Sequence, residues 1–264
     1  GAAIFASTVT VVGNAVFTGD IRKKTAGASN FAAGVNAGNS IESGGNSNVA
    51  IGDEAGTAIT TGDLNTAVGY ASLDANTTGG NNTAVGAAAL GANTTASNIV
   101  AVGFSALGLN TTGASNVAVG PYNLDANTTG GSNTAVGSSA LGANTTASNN
   151  SAFGSTALDA NTTGTQNSAF GSNTLSTLTT GNYNNAFGYA ALFLTTTADY
   201  NSAFGHLAMY ANTTGARNAA LGAFALDANT TGSYNTGMGT YALSVNIDGD
   251  YNVAVGYQAL DANT

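Results

Sequence analysis

Residues 65–81 read N-T-A-V-G-Y-A-S-L-D-A-N-T-T-G-G-N, and residues 82–98, N-T-A-V-G-A-A-A-L-G-A-N-T-T-A-S-N, repeat the pattern without a gap. Repetition at a fixed period outranks every local signal, because it changes the class of fold to be considered. Working outward from Gly69, glycine recurs at 52, 69, 86, 103, 120, 137, 154, 171, 188, 205, 222, 239 and 256, thirteen sites seventeen residues apart. An apolar residue precedes each of them, beginning Ile51, Val68, Val85 and continuing through Phe153, Phe170, Phe187 and Phe204 to Val255. Four residues after Gly69 and each later glycine stands Leu or Met, as at Leu73, Leu90 and Met209. Two asparagine rows share the register, one through Asn65 and Asn82, the other through Asn76 and Asn93.

A unit of this kind is not helical, since Gly, Asn and Thr are poor helix formers. Short apolar segments bounded by Asn, Thr and Gly turn chemistry point to strands. The expected fold is all-β, a narrow two-sided β-roll: a β-solenoid of about thirteen seventeen-residue turns with two short strands in each. At an inter-strand spacing of ~4.8 Å its rod is on the order of 60 Å long. The Val/Phe row (Val68, Val85, Phe153, Phe170, Phe187, Phe204) and the Leu row (Leu73, Leu90) are expected to form the core. The asparagines are expected to form amide ladders, each side chain bonding its equivalent above and below. The alanine row through Ala67, Ala84 and Ala101 reads as a flat outer surface for a partner chain. Tyr183, Tyr200, Tyr234 and Tyr251 share a further row, an exposed or interface-facing strip.

Two segments follow. Residues 48–264 form the rod. Residues 1–47 form a β-rich cap, or a strand segment that links subunits, with Ile4, Phe5, Val9 and Val11 as candidate contacts. Edge strands need such protection.

Composition narrows the function. Charged residues make up 6% of the 264, and four Lys and Arg stand against thirteen Asp and Glu, a net charge of −9. Nucleic-acid binding needs a basic footprint, so none is expected. There is no cysteine, hence no thiolate metal site, and no apolar run long enough to insert in a membrane as a helix. His206 is the single histidine and no nucleophile motif accompanies it. Asp248 and Asp250 lie in an I-D-G-D-Y turn, where Asp is routine. No cofactor is expected. The N-T-T triplets match the N-glycosylation pattern but are explained more economically as corners.

The segments N-T-A-V-G-Y (65–70), A-L-G-A-N-T-T (89–95) and G-Y-Q-A-L-D-A-N-T (256–264) resemble repeats of trimeric autotransporter adhesin heads and phage-type tail fibres. The resemblance spans roughly residues 46–264. It implies a left-handed β-roll, a homotrimer, a location outside the cell or on a virion, and binding to host or matrix surfaces. The turns are longer than the usual unit of that family, and no heptad stalk or membrane barrel is present. The expectation is therefore a non-enzymatic structural or adhesive fibre segment that self-associates, as a trimer or a head-to-tail filament. Two alternatives stand beside it: an ice-binding solenoid using the row Thr77, Thr94, Thr111, Thr128, Thr145 and Thr162, and a fibre-borne glycan-degrading enzyme, which would need clustered acids.

Overall fold

The computed structural model describes residues 21–22 and 29–262. Strand β1 (Ile21–Arg22) is followed by β2 (Phe31–Ala33) and β3 (Val49–Ile51), and twelve more, β4 to β15, follow at seventeen-residue intervals from Thr66–Val68 to Val253–Val255. All fifteen form one sheet in sequence order. From β2 onward every pairing is parallel and in register, as in Thr66↔Thr83, Ala67↔Ala84 and Val68↔Val85. The described residues contain no helix. This is the β-solenoid expected from the period.

The rod begins earlier than residue 48. Strand β2 already stacks on β3 as a regular rung, Phe31 on Val49, with eighteen residues to the turn. Antiparallel β1 lies on its outer edge, pairing Ile21 with Ala33 and Arg22 with Ala32. Ile4, Phe5, Val9 and Val11 lie outside the described residues.

Each turn holds one strand, not two. The segment carrying the leucines is a chain of tight turns in which left-handed residues alternate, for example Ala71 at φ 50° and Leu73 at φ 52°. Its backbone still bonds from rung to rung: Ala71 N–H donates to Asp53 C=O at 3.0 Å and Leu73 N–H to Ala89 C=O at 3.0 Å. Pairing thus continues right round the coil, which answers the need of buried peptide groups for partners without a second strand. Glycine begins this segment because nothing else fits. Gly69 sits at φ 133°, and a Cβ there would lie 2.6 Å from the Gly86 carbonyl of the next rung. Left-handed conformations cost roughly 1–2 kcal/mol for residues with a Cβ, a cost that complete burial of the side chain offsets at Leu73 and Leu90.

The core differs from the one expected in one column. Leu73 and Leu90 are buried completely, as read. Val68, Val85, Phe153, Phe170 and Phe187 are only half-buried and Phe204 is exposed, so this row faces outward. The inward residue of each parallel strand is the alanine between, with Gly237 in β14 the one exception: Ala67, Ala84 and Ala101 have no exposure at all. They are core, not an interface. The reason is strand parity. Successive side chains point to opposite faces, and the fully buried Asn65 shares its face with Ala67, two residues on. Val68 must then face out with Thr66.

Candidate interaction surface

The exposed face of the parallel sheet carries two columns. One runs Thr66, Thr83, Val100, Val117, Thr134, Ser151, Ser168; the other runs from Ile51 through the valines and phenylalanines to Val255. Neither column contains a charged residue. Phe153, Phe170, Phe187 and Phe204 stack with centroids 4.7, 4.6 and 4.7 Å apart and planes within 9°. Where the second column becomes Phe, the first is Ser at three rungs, Ser151, Ser168 and Ser202, and Asn185 at the fourth. Beyond Phe204 the face dips. Ala219 and Leu221 sit in a shallow apolar hollow of about 310 Å³ bounded by Phe204 and Met238.

The two asparagine rows are both buried, but only the Asn76 row is mainly an amide ladder; in the other, amide-to-amide bonds are limited to Asn184 Nδ2 to Asn167 Oδ1 at 3.2 Å and Asn201 Nδ2 to Asn184 Oδ1 at 3.3 Å. Asn93 Nδ2 donates to Asn76 Oδ1 at 2.8 Å and Asn127 Nδ2 to Asn110 Oδ1 at 2.7 Å, while each amide also bonds a carbonyl three residues on. The ladder is interrupted where Leu178 and Thr195 take the asparagine position, leaving Asn161 Oδ1 without a partner, and resumes from Asn212 to Asn246. The other row joins side chain to backbone instead: Asn82 N–H donates to Asn65 Oδ1 at 3.1 Å, and Asn82 Nδ2 to Ala96 C=O at 2.9 Å. Asn65 and Asn82 therefore stitch rungs through the main chain. In the N-T-T triplets the Asn amides are buried and engaged, so the folded rod does not present them for N-glycosylation.

The threonine row of interest is also displaced by one. Thr77, Thr94 and Thr111 are half-buried, and each hydroxyl donates to the carbonyl of the next threonine in the column, at 3.1, 3.2 and 2.9 Å. The exposed column is the following one, from Thr61 and Thr78 to Thr231, eleven successive rungs of threonine.

The tyrosine strip is exposed and has a member that sequence reading missed. Arg217 occupies the rung between Tyr200 and Tyr234, its guanidinium carbon 5.2 and 5.5 Å from the two ring centroids. Tyr183 stacks on Tyr200 and Tyr234 on Tyr251, each pair at 4.8 Å. The column 183, 200, 217, 234, 251 was the available signal, since an arginine between aromatic rungs makes a cation–π stack.

Acids stand singly. Asp74, Asp125, Asp159 and Asp227 occupy one column, and partial burial raises the pKa of each above 3.8; at Asp159 the charge of Asp125 adds to the rise. Asp227 Oδ1 has no hydrogen-bond partner. Among the described residues no three His, Cys, Asp or Glu side chains converge on a point that could hold a metal ion. His206 lies between Tyr189, parallel at 5.6 Å, and Phe224, edge-on at 5.3 Å, which is a packing position.

Family models, characterised proteins and solved structures yield no match to this chain. The surface described above is the ground for a functional reading.

Proposed function

We propose that the chain is a non-enzymatic rod segment of an extracellular structural or adhesive fibre, displayed on a cell or virion surface, and that copies associate through the exposed sheet face. One observation carries this reading: the column from Ile51 to Val255 is apolar, outward-facing and free of charge on a chain of net charge −9. Large ordered apolar patches on a soluble surface mark contact sites. A flat ladder of short side chains also loses little rotamer freedom when covered. Like-charged copies can meet on this face without placing carboxylates against one another. The adhesin and tail-fibre resemblance favours three chains winding together. A head-to-tail filament is the other arrangement.

Size-exclusion chromatography with light scattering tests the proposal. The wild type should run near three times the 25.6 kDa chain mass, or as filaments visible by electron microscopy. Phe170→Asp should return it to a 25.6 kDa monomer with an unchanged β circular-dichroism spectrum. A wild type that is monodisperse and monomeric at high micromolar concentration refutes the reading.

The eleven exposed threonines from Thr61 to Thr231 support a second reading, ice binding. They form a rigid, uncharged hydroxyl–methyl column at the rung spacing, backed by a second threonine column whose rotamers are fixed by hydrogen bonds. Thermal hysteresis in the wild type that disappears in Thr129→Lys supports it; its absence in the wild type removes it.

A further inference from the structure

The rod is not uniform along its side. In the column after the repeat glycine, Ser138, Ser155 and Ser172 give way to Tyr189 and His206. In the aspartate column, Asp159 and Ser176 give way to Phe193 and Tyr210. Both columns change from short polar to aromatic side chains at the same rung. Tyr189 stacks on His206 with planes 17° apart, and Phe193 on Tyr210 with planes 3° apart at 5.3 Å. Between the two stacks lies a cavity of about 320 Å³, lined by Asn173, Tyr189, Ala190, Phe193, Leu207 and Tyr210. Its floor is the buried methyl of Ala190.

The polar group of this cavity is set in place. Asn173 Oδ1 lies 2.7 Å from Thr156 Oγ1, whose single proton is shared with Ser155 C=O at 2.7 Å, so the amide is held against Thr156 and keeps at least one Nδ2 hydrogen for a ligand. Aromatic walls, an apolar floor and one oriented amide form a site with a stated preference. Mostly apolar pockets with a few fixed polar groups bind small molecules. The negative faces and positive edges of aromatic rings discriminate what they touch. A pyranose ring meets these conditions together: its C–H groups pack on aromatic carbon, and a ring hydroxyl accepts from Asn173 Nδ2. A purely aromatic ligand would leave the amide unpartnered, at the cost that follows from burying an unsatisfied donor.

We propose that the cleft between the Tyr189–His206 and Phe193–Tyr210 stacks binds a hexopyranose unit of a glycan. The inference gives the adhesive part of the proposed function a ligand class and rests on that reading. None of the residues lining the cleft belongs to a strand of the sheet face, so binding and assembly can be measured apart.

The experiment is saturation-transfer NMR on the full chain, irradiating aromatic protons, with methyl glycosides of glucose, galactose, mannose and N-acetylglucosamine at millimolar concentration. Transfer to the ring protons of at least one glycoside is expected. Two variants locate it. Ala190→Phe fills the cleft, and its column already carries Tyr122, Phe224 and Tyr241, so the fold tolerates the ring. It should abolish transfer. Asn173→Ala should weaken binding about tenfold, a ratio that corresponds to about 1.4 kcal/mol. Absence of transfer to all four glycosides overturns the proposal, as does transfer that survives unchanged in Ala190→Phe. Light scattering on the same samples shows whether assembly persists; a wild type that assembles but binds no glycoside defeats this inference alone.

Discussion

The interrupted amide ladder allows one pair of substitutions to measure what the buried asparagines contribute. Asn127 and Asn161 occupy the same column, are both without exposure, and lose the same atoms on truncation to alanine. Each donates through Nδ2 to the asparagine of the preceding rung, at 2.7 Å for Asn127 and 3.3 Å for Asn161. Each also donates to a carbonyl three residues on, at 2.9 Å in both cases. They differ at Oδ1. That of Asn127 accepts from Asn144 Nδ2 at 2.8 Å, whereas that of Asn161 has no partner because Leu178 follows in the column. Asn127→Ala therefore strands an amide hydrogen of Asn144 as well as Asn110 Oδ1. Asn161→Ala strands only Asn144 Oδ1 and removes an acceptor that was already unsatisfied. An orphaned buried polar group costs about 1–3 kcal/mol, so Asn127→Ala should destabilise by at least about 2 kcal/mol more than Asn161→Ala. The cavity terms are alike and cancel. Solenoids lose cooperativity along their length, so native-state hydrogen exchange of the rungs flanking each site is the suitable assay, with urea unfolding as a check. Equal costs for the two variants would refute the ladder argument.

The remaining predictions concern the core column and the acids. Ala135→Val adds two methyl groups between Ala118 and Ala152 in a column without exposure and should cost about 1–3 kcal/mol by overpacking, read from urea midpoints. Val136→Ala, one residue on but facing outward, should change monomer stability much less and weaken self-association instead. Asp74, Asp125, Asp159 and Asp227 have folded pKa values raised by burial above 3.8, so the folded state binds protons more readily than the unfolded chain does. Their contribution to stability is greatest below 3.8 and is lost as pH rises through the raised values. Thermal melting should accordingly occur at higher temperature near pH 3.8 than at neutrality, and the fourfold Asp→Asn variant should flatten that dependence.

Much of this architecture could be read from the residues because a repeat is its own alignment. The seventeen-residue interval, the frequent Gly, Asn and Thr and the turn chemistry around N-T-T fix a coil of stacked rungs, and a column of Leu or Met from Leu73 onward belongs inside it. Asparagine at matched positions likewise implied internal ladders, as Asn76 and Asn93 form. The facing of the strand was also present in the letters, though in a weaker form. The alanine column from Ala67 to Ala254 changes only once, to Gly237, while its neighbour varies among Ile, Val, Phe, Leu and Met. A column that admits no change of volume is packed, and one that varies freely is not.

Hydrophobicity points the other way, toward Val68 and Phe153 in the core, and only the tertiary structure decided the matter. The lumen holds Leu73, Asn65 and Asn76 at each rung and leaves room opposite them for a methyl group and no more. The same structure decided three other matters. The second strand is replaced by left-handed turns because these keep the backbone paired from rung to rung. The available threonine hydroxyls are those of the Thr78 column, since the Thr77 column spends its own on neighbouring carbonyls. The aromatic cleft at Ala190 exists because residues four apart in the chain flank one another on this coil, a distance set by the turn and invisible in the period. Sequence determined the repeat and what each rung contains; the narrowness of the coil determined which of those residues the solvent meets.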